Sequence, residues 1–175
     1  MWVPDHALIR LTGGRQTHHH SLTLNEKRSM PKVSYRFSNR LNDMDFDLIH
    51  SYLSTQSYWS RGVSRAVQKR AMDHSLNFGV FDDGQHRQVA YGRMVTDQAT
   101  FAYLADVFVV ESHRGRGVGK LLMDYIHRQE SLQGLKRKML ATKDAHGLYE
   151  QFGYKPLMDP SFYMESVTPS TSVDE

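Results

Sequence analysis

The chain has 175 residues, 39% of them hydrophobic, and a formal net charge of +3, which suits a single domain with a buried core. It contains no cysteine, which excludes disulfides, thiol nucleophiles and thiolate metal sites. No apolar run is long enough to span a bilayer and the N-terminus lacks a secretory pattern, so we expect a cytoplasmic protein that does not engage membranes. Aromatic and basic residues are not interleaved, so nucleic-acid binding is not expected.

The two ends of the chain differ in composition from its centre. Residues 1–29 show no sustained periodicity and include three adjacent histidines, which is typical of a flexible extension. Three adjacent residues cannot all face one ion on regular structure, so no metal site is expected there. Residues 30–166 carry the patterned sequence of a domain, and residues 167–175 predict a frayed tail.

The patterned region opens with one strand and two helices. Apolar and polar residues alternate over Val33–Phe37, which predicts a first strand. Asn42 or Asp43 is the expected cap of a first helix, and Ser64–His74 is predicted to form a second helix. The polar segment Gln56–Gly62 predicts a loop between them.

The middle of the chain is predicted to form consecutive strands. Asn77–Phe81 and Gln88–Thr96 flank an Asp-Asp-Gly sequence at residues 82–84, which predicts a β-hairpin. A second turn near Asp97 leads into a long predicted strand, Phe101–Val110.

The remaining elements alternate between helix and strand. An apolar stripe over Val118–Ile126 predicts a helix, and Met139–Thr142 a short strand. Ala145–Phe152 is predicted to form a short helix, and Tyr154–Met164 one or two closing strands. This order predicts an α/β (α+β) fold in which helices flank a mixed sheet.

A glycine turn, Arg114 to Gly119, joins the long strand to the helix that follows it. Glycines permit a tight turn, and free N–H groups at a helix start attract phosphate. Lys120 stands where a dinucleotide-binding motif needs glycine, and Arg114 and Leu121 fail the P-loop spacing. The alternative is that the turn is a tight strand-to-helix connection that binds no ligand.

Two motifs carry a resemblance to a known family. The pattern Arg-x-x-Gly-x-Gly, filled by Arg114, Gly117 and Gly119 after residues 106–109, resembles the acetyl-CoA-binding motif of the GNAT superfamily (Gcn5-related N-acetyltransferases). Leu148–Tyr154 is similar to the later family motif, a helix carrying tyrosine followed by a glycine turn. The resemblance covers about residues 33 to 165 and implies a GNAT-like mixed, splayed β-sheet.

The resemblance implies an acetyl-CoA-dependent N-acetyltransferase that transfers the acetyl group directly to a primary amine in a ternary complex. A non-catalytic CoA-binding or sensing module with the same fold is the alternative. The turn would bind the CoA diphosphate through backbone N–H groups, and the preceding strand would pair with the pantetheine arm. The residues expected to bind the cofactor are Val107, Phe108, Val109, Arg114, Gly115, Arg116, Gly117, Val118, Gly119 and Lys120.

The resemblance also suggests catalytic residues. Tyr149 occupies the position of the family's general acid, and Asp106 that of a carboxylate base. Asp106 has an alternative role as a buried structural residue. His146 is a second candidate base, with a surface histidine as the alternative, while Asp144 is expected to cap the same helix. His113 is expected to be exposed.

The acceptor is expected to meet the loop between the first two helices. Tyr58 and Trp59 are large aromatics able to wall a pocket or stack on a cation, although Trp59 could instead pack in the core. Asp97 could add negative charge for an amine, and turn chemistry explains it equally well. Small-molecule and peptide amines both fit, and a homodimer through exposed edge strands is a further possibility.

Overall fold

The computed structural model describes residues 33–168, so the predicted extension at residues 1–29 and the tail beyond residue 168 lie outside the described part. Its strands are β1 (Tyr35–Ser38), β2 (Leu76–Asp82), β3 (Arg87–Thr96), β4 (Phe101–Val109) and β5 (Arg137–Met139). Its α-helices are α1 (Phe46–Thr55), α2 (Arg65–Asp73), α3 (Val118–His127) and α4 (His146–Glu150). None of the described helices is long and apolar enough to cross a membrane.

The five strands form one mixed sheet in the order β1-β2-β3-β4-β5. The first four are antiparallel neighbours, and β5 pairs with β4 in parallel. That last pairing joins only Phe101–Tyr103 to Arg137–Met139, so the two strands separate beyond Tyr103. The predicted mixed, splayed sheet with flanking helices is confirmed.

Each face of the sheet buries one apolar cluster. On one face, Leu122 and Ile126 of α3 pack with Phe78 of β2 and with Tyr149 of α4. On the other face, residues of α1 and α2 pack with aromatic side chains of the sheet; this cluster contains Met44, Ile49, Tyr52, Leu53, Met72, Phe81, Tyr91 and Phe108. Burial of these side chains holds the helices in place against the sheet.

The start of α1 differs from the expectation. Asp45 is its cap and accepts a hydrogen bond from the Leu48 N–H at 3.0 Å. Asn42 and Asp43, the expected caps, lie in a separate 3-10 turn over Leu41–Asp43. The predicted cap was therefore wrong, because an additional turn precedes the helix.

The predicted closing strands over Tyr154–Met164 are also wrong. This segment forms no strand in the described chain, and Pro160–Phe162 forms a 3-10 turn capped by Asp159. Pro156 and Pro160 have no N–H to donate to a sheet ladder, which explains why the apolar residues around them do not continue the sheet.

Asp97 organises the turn between β3 and β4. Its Oδ1 accepts hydrogen bonds from the N–H groups of Ala99, Thr100 and Phe101 at 2.9 to 3.0 Å, and its Oδ2 accepts from the Thr100 hydroxyl at 2.6 Å. The Thr100 hydroxyl and these N–H groups hold the pKa of Asp97 well below its ordinary value. Turn chemistry therefore accounts for this residue.

We predict that Asp97→Asn lowers the melting temperature at pH 7 and that the difference from wild type narrows at pH 3. A lowered pKa stabilises the fold above the unfolded aspartate value of about 3.9, and this stabilisation is lost as the pH falls. Thermal unfolding at both pH values measures the effect. Asp124→Asn removes an exposed charge paired with Arg128 and serves as control. An equal difference at both pH values would contradict the prediction.

Candidate active site

Separation of β4 from β5 opens a cleft of about 1050 Å³. Residues 104–109 of β4 form its floor, and residues 140–145 with α4 form one wall. The opposite wall comes from the end of α1 and the loop after it. The side chains of this second wall and of the adjoining turn are Tyr52, Gln56, Tyr58, Trp59 and Arg114. The cleft thus joins the two sequence motifs, which are separated by residues 120–147 along the chain.

A β-bulge in β4 lies at the centre of the cleft floor. Tyr91 and Arg93 of β3 are two residues apart, yet they pair with Phe108 and Ala105, which are three apart. Asp106, inside the bulge, has φ +55°, a left-handed conformation that aspartate adopts more readily than most residues. A bulge bends its strand and re-aims its backbone groups, which fits the departure of β4 from β5.

Asp106 is 7% exposed and has a partner for each carboxylate oxygen. Its Oδ2 lies 2.5 Å from Arg93 Nε, and its Oδ1 accepts a hydrogen bond from Trp59 Nε1 at 3.2 Å. Arg93 Nη1 in turn donates to Ser75 Oγ at 3.1 Å. The predicted base is therefore one member of a buried ion pair in the cleft. The sequence gives no local signal for Arg93, because the pair is set by strand register.

Tyr149 lies on the wall formed by α4 and is 8% exposed. Burial raises the pKa of its phenol to about 12. The hydroxyl is therefore protonated at neutral pH and can donate a hydrogen bond into the cleft.

The helix that carries Tyr149 lacks the side-chain cap that the sequence predicted. Its N-cap residue is Ala145, which has no capping side chain, and Asp144 is exposed and does not supply the cap. The prediction of Asp144 as the cap was wrong. The Ala145 N–H donates to Thr142 Oγ1 at 3.0 Å, so Thr142 holds the backbone just before the helix begins.

Tyr58 and Trp59 cover the cleft from the side of the α1–α2 loop. They are 55% and 42% exposed, so Trp59 is not a core residue, and their rings meet edge to face at 4.9 Å. Tyr58 Oη accepts a hydrogen bond from the Lys143 N–H at 3.0 Å on the opposite wall. With the Trp59 bond to Asp106, the two aromatics connect three sides of the cleft.

The glycine turn leaves backbone donors at the start of α3. Gly115 and Gly117 have φ of +71° and +78°, which favours glycine at both positions. The first bond of α3 is donated by the Leu121 N–H to the Gly117 carbonyl, so the N–H groups of residues 118–120 precede the helical ladder. Such groups, with the positive end of the helix dipole, suit a phosphate.

The basic side chains around the turn have different roles. Arg114 Nε donates to the Val109 carbonyl at 3.1 Å, and Arg114 Nη2 donates to Tyr52 Oη at 2.8 Å. Arg114 therefore ties the turn to β4 and α1. Arg116 and Lys120 are exposed beside the turn, where they add positive charge.

The remaining predicted cofactor contacts fall on both sides of the turn. Val107, Phe108 and Val109 line the cleft floor, and Gly119 reaches the cleft as well. The Phe108 ring stacks on Tyr52, with 3.9 Å between the ring centroids, and belongs to the cluster that α1 and α2 cover. Phe108 therefore joins the floor of the cleft to the wall formed by the end of α1.

Two histidines occupy places that the sequence does not reveal. His146 is exposed and lines a separate cavity of about 600 Å³ between β5, α4 and residues 152–157, so the structure does not bring it into the cleft. His113 is 1% exposed, and the prediction that it is exposed was wrong. A 3-10 turn over Glu111–His113 directs its ring inward, toward Asp82 of β2.

Comparisons with known proteins agree with this architecture. A family model described as an acetyltransferase (GNAT) domain matches residues 73–156. A crystal structure assigned to the GNAT family, from Xanthomonas campestris pv. campestris, is 47% identical with a TM-score of 0.75, and the match covers 79% of this chain and 96% of that one. A Gibberella zeae protein that carries the name of an acetyltransferase is 42% identical over 126 residues. This match covers 61% of this chain and 70% of that protein.

A more distant crystal structure shares the fold. It comes from Clostridium acetobutylicum, carries the name of an acetyltransferase and was solved with acetyl-CoA. It is 12% identical with a TM-score of 0.55, and the match covers 78% of this chain and 96% of that one. The family match spans both motifs, and the two relatives above 40% identity are both named as acetyltransferases. This chain belongs to the GNAT family of acetyltransferases.

Proposed function

We propose that this protein transfers the acetyl group of acetyl-CoA directly to a primary amine in a ternary complex. The observation that carries the proposal is that one cleft joins the glycine turn to a buried phenol whose raised pKa keeps it protonated. Family membership supports an acetyl transfer, and the cleft supplies residues for both the donor and the acceptor.

The chain's own groups fit acetyl-CoA as the donor. The N–H groups of residues 118–120 are placed for a diphosphate, and Arg116 and Lys120 add positive charge nearby. Within residues 33–168, β5 pairs with β4 no further than Tyr103, and the edge of β4 that faces the cleft can pair with the amide groups of a pantetheine arm. Acetyl-CoA would supply an acetyl group activated as a thioester.

Backbone groups at the bulge stabilise the charge that develops during transfer. Asp106 and Val107 lie between the paired residues Ala105 and Phe108, so the register with β3 skips them. The Val107 N–H donates a hydrogen bond to the carbonyl oxygen of the acetyl group. A fixed donor of this kind lowers the barrier because it needs no reorganisation during the reaction.

Tyr149 acts as the general acid. Its raised pKa keeps the phenol protonated up to about pH 12, so it donates to the departing sulfur throughout the neutral range. It lines the same cleft as the bulge.

Asp106 receives the proton of the attacking amine through a water molecule. Trp59 donates a hydrogen bond to one carboxylate oxygen of Asp106 and Arg93 donates to the other, and each oxygen keeps a further lone pair. An amine is mostly protonated at pH 7 and must lose a proton before it attacks. Tyr58 and Trp59 form the acceptor side, where their faces can hold an amine before transfer.

We predict that Gly117→Val weakens CoA binding at least about tenfold, measured by calorimetry. A branched side chain at φ +78° costs about 1–2 kcal/mol and disturbs the donors at the turn. Gly134→Val is the matched control, because Gly134 has φ +71° in a turn before β5, away from the cleft. Equal affinity of Gly117→Val and wild type would refute the diphosphate site.

We predict that Tyr149→Phe lowers kcat about 100-fold and leaves acetyl-CoA affinity unchanged, because only the hydroxyl is removed. Tyr154→Phe is the matched control: burial raises the pKa of Tyr154 to about 12 as well, but this phenol does not line the cleft. Thiol release with a panel of amines measures both. Unchanged turnover in Tyr149→Phe would remove the acid role. CoA binding without thiol release in wild type would favour a non-catalytic module.

We predict that Asp106→Asn lowers kcat/KM about 100-fold near pH 7, since the variant cannot accept a proton. Asparagine also adopts left-handed backbone and keeps an oxygen for Trp59, but it loses the ion pair with Arg93, so thermal unfolding of the variant is measured alongside its activity. The loss should shrink at high pH, where the amine is already neutral. A loss smaller than about threefold at pH 7 would leave Asp106 with a structural role only.

A further inference from the structure

We infer that His113, held by Asp82, is a positioning residue for the diphosphate-binding turn. This inference rests on the proposed function, because it assigns a role in donor binding. Neither side chain lines the cleft, so both would act through the backbone that follows His113.

The pair is buried and each partner faces a defined atom. His113 and Asp82 are 1% and 3% exposed. His113 Nε2 donates to Asp82 Oδ2 at 3.0 Å, and His113 Nδ1 lies 3.0 Å from Ser112 Oγ. The edge of the Tyr35 ring packs against the imidazole at 6.1 Å between centroids. Both ring nitrogens therefore have partners, which fixes the ring in one orientation.

Asp82 is itself held by the β2–β3 turn. Its Oδ1 accepts hydrogen bonds from the N–H groups of Gly84 at 2.8 Å and Gln85 at 3.1 Å. The hydrogen bond from His113, together with these N–H groups, lowers the pKa of Asp82 and keeps it ionised. The hairpin turn thus holds the Asp82 carboxylate in place, and the carboxylate holds the His113 ring.

His113 is the last side chain anchored in the protein interior before the turn. Arg114 follows it directly, and its guanidinium binds Val109 and Tyr52 at the protein surface. Around Gly115 and Gly117, an added Cβ atom would meet no atom within 4 Å, so no neighbouring group confines the turn there. The entry to the turn therefore depends on His113 and Arg114, and its exit depends on α3.

Loss of this anchor should change donor affinity and leave the chemical step intact. The N–H groups at the start of α3 can bind a diphosphate only while the turn keeps them directed at the same position. Displacement of positioning groups by about 1 Å can cost up to roughly 100-fold. The chemical groups at Tyr149 and at the bulge of β4 are held by other contacts. The expected signature is a higher KM for acetyl-CoA with kcat unchanged.

The experiment compares His113→Ala, His113→Gln and Ser112→Ala with wild type. Calorimetry measures CoA affinity, and steady-state assays use acetyl-CoA or S-acetylpantetheine, which lacks the diphosphate. The glutamine amide can still donate to Asp82, so His113→Gln should recover part of the affinity. Ser112→Ala removes the partner of Nδ1 but leaves the bond to Asp82 in place, so it should lose less affinity than His113→Ala. Leu132→Ala, at a buried site away from the cleft, controls for lost stability.

We expect His113→Ala to bind CoA about tenfold more weakly and to lose kcat/KM about tenfold with acetyl-CoA but not with S-acetylpantetheine. If His113→Ala does not fold, Asp82→Asn provides the same test, because it keeps an oxygen for the hairpin and loses the acceptor for His113. Wild-type affinity in a folded variant would overturn the inference, and so would an equal loss in Leu132→Ala. Failure of wild type to bind CoA would instead overturn the proposed function before any variant is compared.

Discussion

The separation of β4 from β5 is the constraint on which the rest of the structure depends. Three residue pairs join the two strands, and beyond Tyr103 the edge of β4 faces a cleft. The bulge at Asp106 bends β4 at this point and gives it an irregular backbone. A regular ladder would have used the same N–H and carbonyl groups for the sheet and left none for a ligand. The fold forms its site by leaving part of a strand unpaired.

Two irregular backbone segments are each stabilised by a buried carboxylate. Asp106 in the bulge pairs with Arg93 of β3, and Asp82 of β2 pairs with His113 at the entry to the glycine turn. Irregular backbone has no regular hydrogen-bond ladder to define it, so side-chain contacts must do so. A buried carboxylate with a specific partner suits this role, because an unpaired one would be costly in the interior. The sheet thus fixes both the floor of the cleft and the entry to the glycine turn.

Aromatic side chains complete the cleft on the side of the α1–α2 loop. Tyr58 reaches the backbone of Lys143 and Trp59 reaches Asp106, so one exposed loop contacts the opposite wall and the floor. The polar atoms of both rings are thus bonded to the protein, while the side chains stay 55% and 42% exposed. Under the proposed function, this loop would select the acceptor by its shape, whereas the donor would be held mostly by backbone groups.

The sequence by itself determined the order of most elements, since periodicity and turn residues act locally. The hairpin before β4, the helix after the glycine turn and the start of α2 near Ser64 follow from such signals. The two family motifs also identified the kind of cleft. The cap of α1, the inward ring of His113 and the pairing of Asp106 with Arg93 were decided by tertiary structure. Each depends on how distant segments meet, through strand register, an extra turn or a bulge, and neighbouring residues along the chain do not encode that geometry.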